Sequence, residues 1–92
     1  MIDKTKIIEY IDMLVLNRKK EKPYYDLCGG EMLLYDIIWD TEVFAGKALG
    51  IPEDTITQFI MDYAWNGYII LDGKLLMTSE EIADCIIKDS AT

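Results

Sequence analysis

The chain has 92 residues, 51% of them hydrophobic, a formal net charge of −8 and no histidine. That length suits one domain burying roughly 60–65% of its unfolded surface, and no apolar run reaches the ~18 residues of a membrane span. Without histidine the commonest general base and metal ligand is missing, so no catalytic, cofactor or metal residues are assigned and an enzyme is not expected.

The charge is unevenly spread. Residues 1–22 carry six Lys/Arg and four Asp/Glu, a net of +2, whereas residues 23–92 carry three Lys and thirteen Asp/Glu, a net of −10. Acidity of this kind opposes general binding to phosphate backbones. Charge alternates with isoleucine from Asp3 onward, which is not a signal-peptide pattern. Cys28 and Cys85 lack CxxC spacing and read as reduced thiols of a cytoplasmic protein, with a disulfide between them left open.

The first helix is expected over residues 3–17. Asp3 caps it, and Ile2 is spaced to staple onto Ile7. Ile7, Ile8, Ile11, Leu14 and Val15 form a helical apolar stripe, which Tyr10, Met13 and Leu16 widen. Such a face either fills the core alone or also packs on a partner or a second copy. Arg18-Lys19-Lys20-Glu21-Lys22 then favours a helix C-terminus, and Pro23 forbids continuation. Two readings stand for Arg18, Lys19, Lys20 and Lys22: a solvated helix end, or a contact for nucleic acid or an acidic partner. Tyr24 and Tyr25 follow in a loop running to Gly29-Gly30, where they either stack bases or pin the loop to the core.

Glu31 to Trp39 reads as a short helix, apolar nearly all round and therefore central. Asp40 or Thr41 caps the next helix, which carries Val43, Phe44, Ala45, Gly46 and Leu49 and ends at Gly50. Another helix starts on Glu53, Asp54 and Thr55, carries Ile56, Phe59, Ile60, Tyr63 and Ala64, and stops at Asn66-Gly67. Two apolar runs follow, joined by Asp72-Gly73. That pair favours a type I′ hairpin turn, which needs φ > 0 at both central residues. A two-residue turn pairs Leu71 with Lys74, Ile70 with Leu75, Ile69 with Leu76 and Tyr68 with Met77. Tyr68, Ile70, Leu75 and Met77 then share one face, and Ile69, Leu71, Lys74 and Leu76 the other. Both faces are apolar, so either the first or last helix covers the second face or an interaction patch stays open; Trp65 lies in the core or in that patch. Finally, Thr78-Ser79-Glu80-Glu81 is a capping-box pattern, with Met77 and Ile82 spaced for a staple. It opens a last helix over 79–88 that buries Ile82, Ala83 and Ile86, and the tail after it frays.

Helix, tight turn, helix, hairpin over residues 42–78 resembles the winged helix-turn-helix superfamily. The resemblance rests on Ala45-Gly46, Leu49-Gly50-Ile51, Thr55-Ile56, Phe59, Gly67-Tyr68-Ile69 and Asp72-Gly73. It covers roughly 37 of the 92 residues directly. It implies a mainly α, winged-helix-like domain over residues 1–92: an additional N-terminal helix at 3–17, the winged helix-turn-helix at 31–78 and a C-terminal helix at 79–88.

The resemblance also implies that the second helix of the pair reads DNA through Glu53, Asp54, Thr57, Gln58 and Met61, with Asp62 nearby. Gln58 suits adenine and Thr57 a base or phosphate. Yet that helix has no Lys or Arg, two carboxylates lead it, and the hairpin adds only Lys74. The leading expectation is therefore a non-catalytic acidic module that binds another protein with a basic surface. Phage-type regulators and inhibitors such as anti-CRISPR proteins act in this way. Its binding residues would be those six on the helix together with Ile69, Leu71, Lys74 and Leu76 on the hairpin. The alternative is a DNA-binding transcriptional regulator. It would dimerise through Ile7 to Leu16 and the last helix, and Arg18 to Lys22 with Lys74 would offset its acidity. Where the basic N-terminal residues lie relative to the second helix discriminates the two.

Overall fold

Asp3 starts the first helix as its sequence position implies: its Oδ1 accepts hydrogen bonds from the backbone N–H of Thr5 at 2.9 Å and of Lys6 at 3.4 Å, satisfying two otherwise orphaned donors. The structure, a computed structural model, describes residues 3–27 and 33–90, with side chains for residues 3–23 and 38–88. The Ile2 staple, Cys28, Gly29-Gly30 and the start of the expected 31–39 helix lie outside the described residues.

Helix α1 spans Lys4–Leu27 and is therefore ten residues longer at its C-terminal end than the expected 3–17. It passes through Pro23, and the backbone of Tyr24 and Tyr25 is helical rather than looped. Proline removes one backbone hydrogen bond and crowds the preceding turn. The turn just before Pro23 is anchored on the core side. There Arg18 and Glu21 are both buried, and Arg18 Nη2 donates to Glu42 Oε1 on the next helix at 2.6 Å. Helix α2 spans Leu33–Ala48, one continuous helix where two were expected. Asp40 and Thr41 are exposed residues within it rather than caps. Cap-forming residues on the outer face of a helix leave its hydrogen-bond ladder intact when no Gly or Pro accompanies them.

Gly50, at φ 92°, turns the chain out of α2. Helix α3 follows as three consecutive segments: Glu53–Thr55 are α-helical, Ile56–Ile60 form a π-helical turn, and Met61–Asn66 are α-helical again. The sequence carries no visible signal for the π turn. Gly67, at φ 85°, ends α3, and its N–H bonds to the Tyr63 carbonyl at 2.7 Å. Strands β1 (Ile69–Leu71) and β2 (Lys74–Leu76) pair antiparallel in the expected register. Asp72 and Gly73 both have positive φ, 51° and 78°, as a type I′ turn requires. Helix α4 spans Ser79–Ser90. Thr78 Oγ1 accepts from the Glu81 N–H at 3.2 Å, and the Glu81 carboxylate reaches back to the Met77 N–H at 3.2 Å. The box therefore forms, with the carboxylate reaching one residue further than expected. Met77 is exposed beside the buried Ile82.

The core is shared by α1, α3, α4 and one face of the hairpin. Ile7, Ile11 and Leu14 of α1 meet Ile56, Ile60 and Tyr63 of α3, Leu76 of β2, and Ile82, Ala83 and Ile86 of α4. Helix α2 closes this core through Val43 and through Gly46, which lies where a Cβ would come within 2.5 Å of both the Tyr10 hydroxyl and Ile56 Cδ1. Only glycine permits that approach, and the Tyr10 hydroxyl uses it to donate to the Glu42 carbonyl at 2.6 Å. Burial, then the nearby Glu42 charge, pushes the Tyr10 phenol well above its ordinary value, against a smaller opposing effect of Arg18. Phe44, one of the apolar residues carried by this helix, is 75% exposed. The result is a mainly helical chain with one small antiparallel hairpin and a C-terminal helix. No helix among the described residues is long and apolar enough to cross a membrane.

Candidate partner-binding site

The leading turn of α3 stands out from the core. Glu53 and Asp54 are exposed, as are Gln58 and Asp62 further along. Thr57 is partly buried, and its hydroxyl donates to the Glu53 carbonyl at 3.1 Å. Met61, expected on the same outer face, is in the core, where its sulfur accepts from Arg18 Nη1 at 3.4 Å. Met61 is therefore removed from the surface that α3 presents. Lys47 lies 3.8 Å from Glu53 in that turn.

The hairpin reverses the expected orientation. Leu76 is 1% exposed and Ile69 partly buried, so the face assigned outward is the one that packs on the helices. Leu71 and Lys74, near the turn, remain exposed on that face. The outward face is Tyr68, Ile70, Leu75 and Met77, with Ile70 64% and Met77 60% exposed. Alternation alone does not tell two apolar faces apart. A compositional signal was present, since Tyr and Met are the types enriched at interface cores. Trp65 lies partly buried at the end of α3.

Two grooves border this region. One, of about 270 Å³, is lined by Asp54, Thr55, Gln58, Phe59, Leu71 and Ile86. The other, of about 460 Å³, runs between the hairpin and α4 past Leu71, Lys74, Leu76, Cys85 and Lys88. Leu71 lines both, so the structure brings Asp54, Gln58, Leu71 and Lys74 to neighbouring grooves, whereas Leu76 is buried. Cys85 is a partly buried free thiol.

The basic N-terminal residues lie elsewhere. Arg18 is 1% exposed and forms ion pairs with Glu21 at 3.0 Å and Glu42 at 2.6 Å, while Asn17 donates to the second Glu42 oxygen at 2.9 Å. Burial lowers the Arg18 pKa most, and the hydrogen bonds to Glu42 and Glu21 more than reverse it, so the net shift is upward. Arg18 is thus a core ion, not the surface contact expected for it. Lys22 sits 5.2 Å from the Trp65 ring centroid, a cation–π distance. Lys4 pairs with Asp84 at 2.8 Å and Glu80 at 3.3 Å, and hydrogen bonds to those carboxylates raise its pKa. Lys19 and Lys20 are exposed. The contacts from Arg18 to Met61 and from Lys22 to Trp65 place this cluster by the C-terminal half of α3. At 1.5 Å per helical residue, Trp65 lies roughly 18 Å along the axis from Glu53, about two Debye lengths at physiological salt. Lys22 is therefore too far away to neutralise the acidic leading turn.

The stripe expected to serve a dimer is also occupied. Ile7, Tyr10, Ile11 and Leu14 are buried within the chain, and only Met13 and Leu16 of that stripe face outward. Among the described residues no group of three or more acidic or Cys side chains is placed to hold a metal ion. No family model, curated protein or solved structure matches the chain.

Proposed function

We propose that this chain is a non-catalytic acidic binding module that recognises another protein through α3 and the outward hairpin face. Its architecture is read as winged-helix-like, with α2, the Gly50 turn, α3 and the hairpin in the order of that superfamily. The observation that carries the proposal is the separation of charges along α3. Glu53 and Asp54 lead it exposed, while Arg18 is buried and Lys22 lies against Trp65 at the far end. A surface of this kind fits a basic partner better than a phosphate backbone. The exposed apolar face of Tyr68, Ile70, Leu75 and Met77 supplies area that water-facing hairpins normally do not expose. A partner that itself binds nucleic acid offers the complementary charge, and the module would act on it as an inhibitor or regulator.

The test is partner capture by paired variants. Ile70→Ser with Leu75→Ser, and separately Glu53→Lys with Asp54→Lys, change exposed side chains and leave the core intact. Each is expected to weaken capture at least about tenfold, the size of one lost interfacial anchor. Capture unaffected by either pair would contradict the proposal. The DNA-binding reading retains one supporting observation, the exposure of Lys19 and Lys20.

A further inference from the structure

The groove between α3, the hairpin tip and α4 has a composition that selects one kind of side chain. Phe59, Leu71 and Ile86 give it an apolar lining, and Asp54 and Gln58 stand exposed at its border. Neither the Asp54 nor the Gln58 side chain bonds to another described residue. Its volume of about 270 Å³ falls just under the ~300 Å³ lower bound of small-molecule pockets. A groove of that size accommodates one long side chain of a partner.

We propose that this groove is a subsite for an arginine side chain of a basic polypeptide. The proposal rests on the protein-binding reading and names what that partner brings to it. The aliphatic stem of arginine covers apolar surface while its head stays polar. The guanidinium forks onto carboxylates and stacks on aromatic faces, and the groove offers one of each in Asp54 and Phe59. The Gln58 amide oxygen is an additional acceptor. Lysine carries the same charge but neither forks nor stacks, and it is more strongly hydrated. The groove therefore discriminates between the two cations, whereas net charge alone does not.

The experiment titrates the whole chain with capped hexa-arginine and, in parallel, hexa-lysine, following backbone amide shifts by NMR. Hexa-arginine is expected to bind about fivefold or more tightly than hexa-lysine, with the largest shifts at Asp54, Gln58, Phe59, Leu71 and Ile86. Asp54→Asn is expected to weaken hexa-arginine about tenfold. Asp62→Asn removes an equal charge from the same helix outside the groove and is expected to change affinity less than about twofold. Equal affinity for both peptides, shifts spread over the acidic surface, or equal effects of the two Asn variants would overturn the subsite. If such shifts are diffuse while partner capture still falls with Ile70→Ser, the arginine assignment is wrong and the protein-binding reading stands. Groove-centred shifts with capture indifferent to Ile70→Ser and Glu53→Lys would uphold the subsite and remove the broader reading.

Discussion

Replacing Arg18 by Met leaves the Glu21 and Glu42 carboxylates buried with no guanidinium between them. Breaking a buried pair from one side costs about 3–5 kcal/mol, because the remaining charges keep their desolvation penalty. Urea unfolding of Arg18→Met is expected to show a loss of that size. The triple change with Glu21→Gln and Glu42→Gln is expected to recover much of it, since residues of one network do not add. A loss below about 1 kcal/mol in the single variant would mean that the ions are solvated. This network was illegible in the sequence for a definite reason. Arg18 stands in a run of lysines that suggests a wet surface, and Glu42 is 24 residues away. Charge type is visible in a sequence, but burial of a charge depends on which helix packs over it. Glycine 46 is similar: its presence is plain, but its meaning comes from Tyr10 and Ile56 converging on it.

At the scale of elements, local chemistry was a good guide to caps and turns and a poor one to helix length. The Asp3 cap, the two glycine stops, the type I′ turn with its register and the Thr78 box each depend on a few adjacent residues, and each formed. Thr78→Ala is expected to cost about 1 kcal/mol, the usual value of an N-cap, measured by thermal or urea unfolding. The hydrogen bond from the Met77 backbone, followed by that from the Thr78 hydroxyl, holds the Glu81 carboxyl below the ordinary carboxylate range. A depressed folded-state pKa contributes stability above the unfolded value and loses it as pH falls through the folded value. The stability difference between the native chain and Glu81→Gln is therefore expected to be full above pH ~5 and to shrink in more acidic solution. A difference that grows on acidification would have the wrong sign.

Helix lengths were misjudged where a local signal met packing. Pro23 marks a stop by its own chemistry, yet α1 continues to Leu27, and Arg18 ties the turn before Pro23 to Glu42 of α2. Pro23 is exposed, so Pro23→Ala restores a backbone donor without disturbing the core. It is expected to raise stability by up to about 3 kcal/mol. A fall in the unfolding midpoint would show that the proline ring itself contributes.

For the molecule as a whole, the decisive feature is where opposite charges and apolar faces end up relative to each other. The order of elements could be read along the chain, and so could the acidity of α3. The direction in which the hairpin turns its two apolar faces could not, because Tyr68/Ile70 and Ile69/Leu71 are near equals in hydrophobicity. What decides it is the burial of Leu76 in the core. The same holds for Lys22, whose distance from Glu53 follows from its place over Trp65. The proposal of a protein partner rather than DNA rests on these placements. The most direct test is fluorescence anisotropy with labelled random and genomic duplex DNA at ~50 mM salt, where electrostatic binding is strongest. No saturable binding is expected for the native chain or for Lys19→Glu with Lys20→Glu. Binding by the native chain that Lys19→Glu with Lys20→Glu abolishes, and that weakens steeply with added salt, would contradict the account and establish these lysines as a DNA contact.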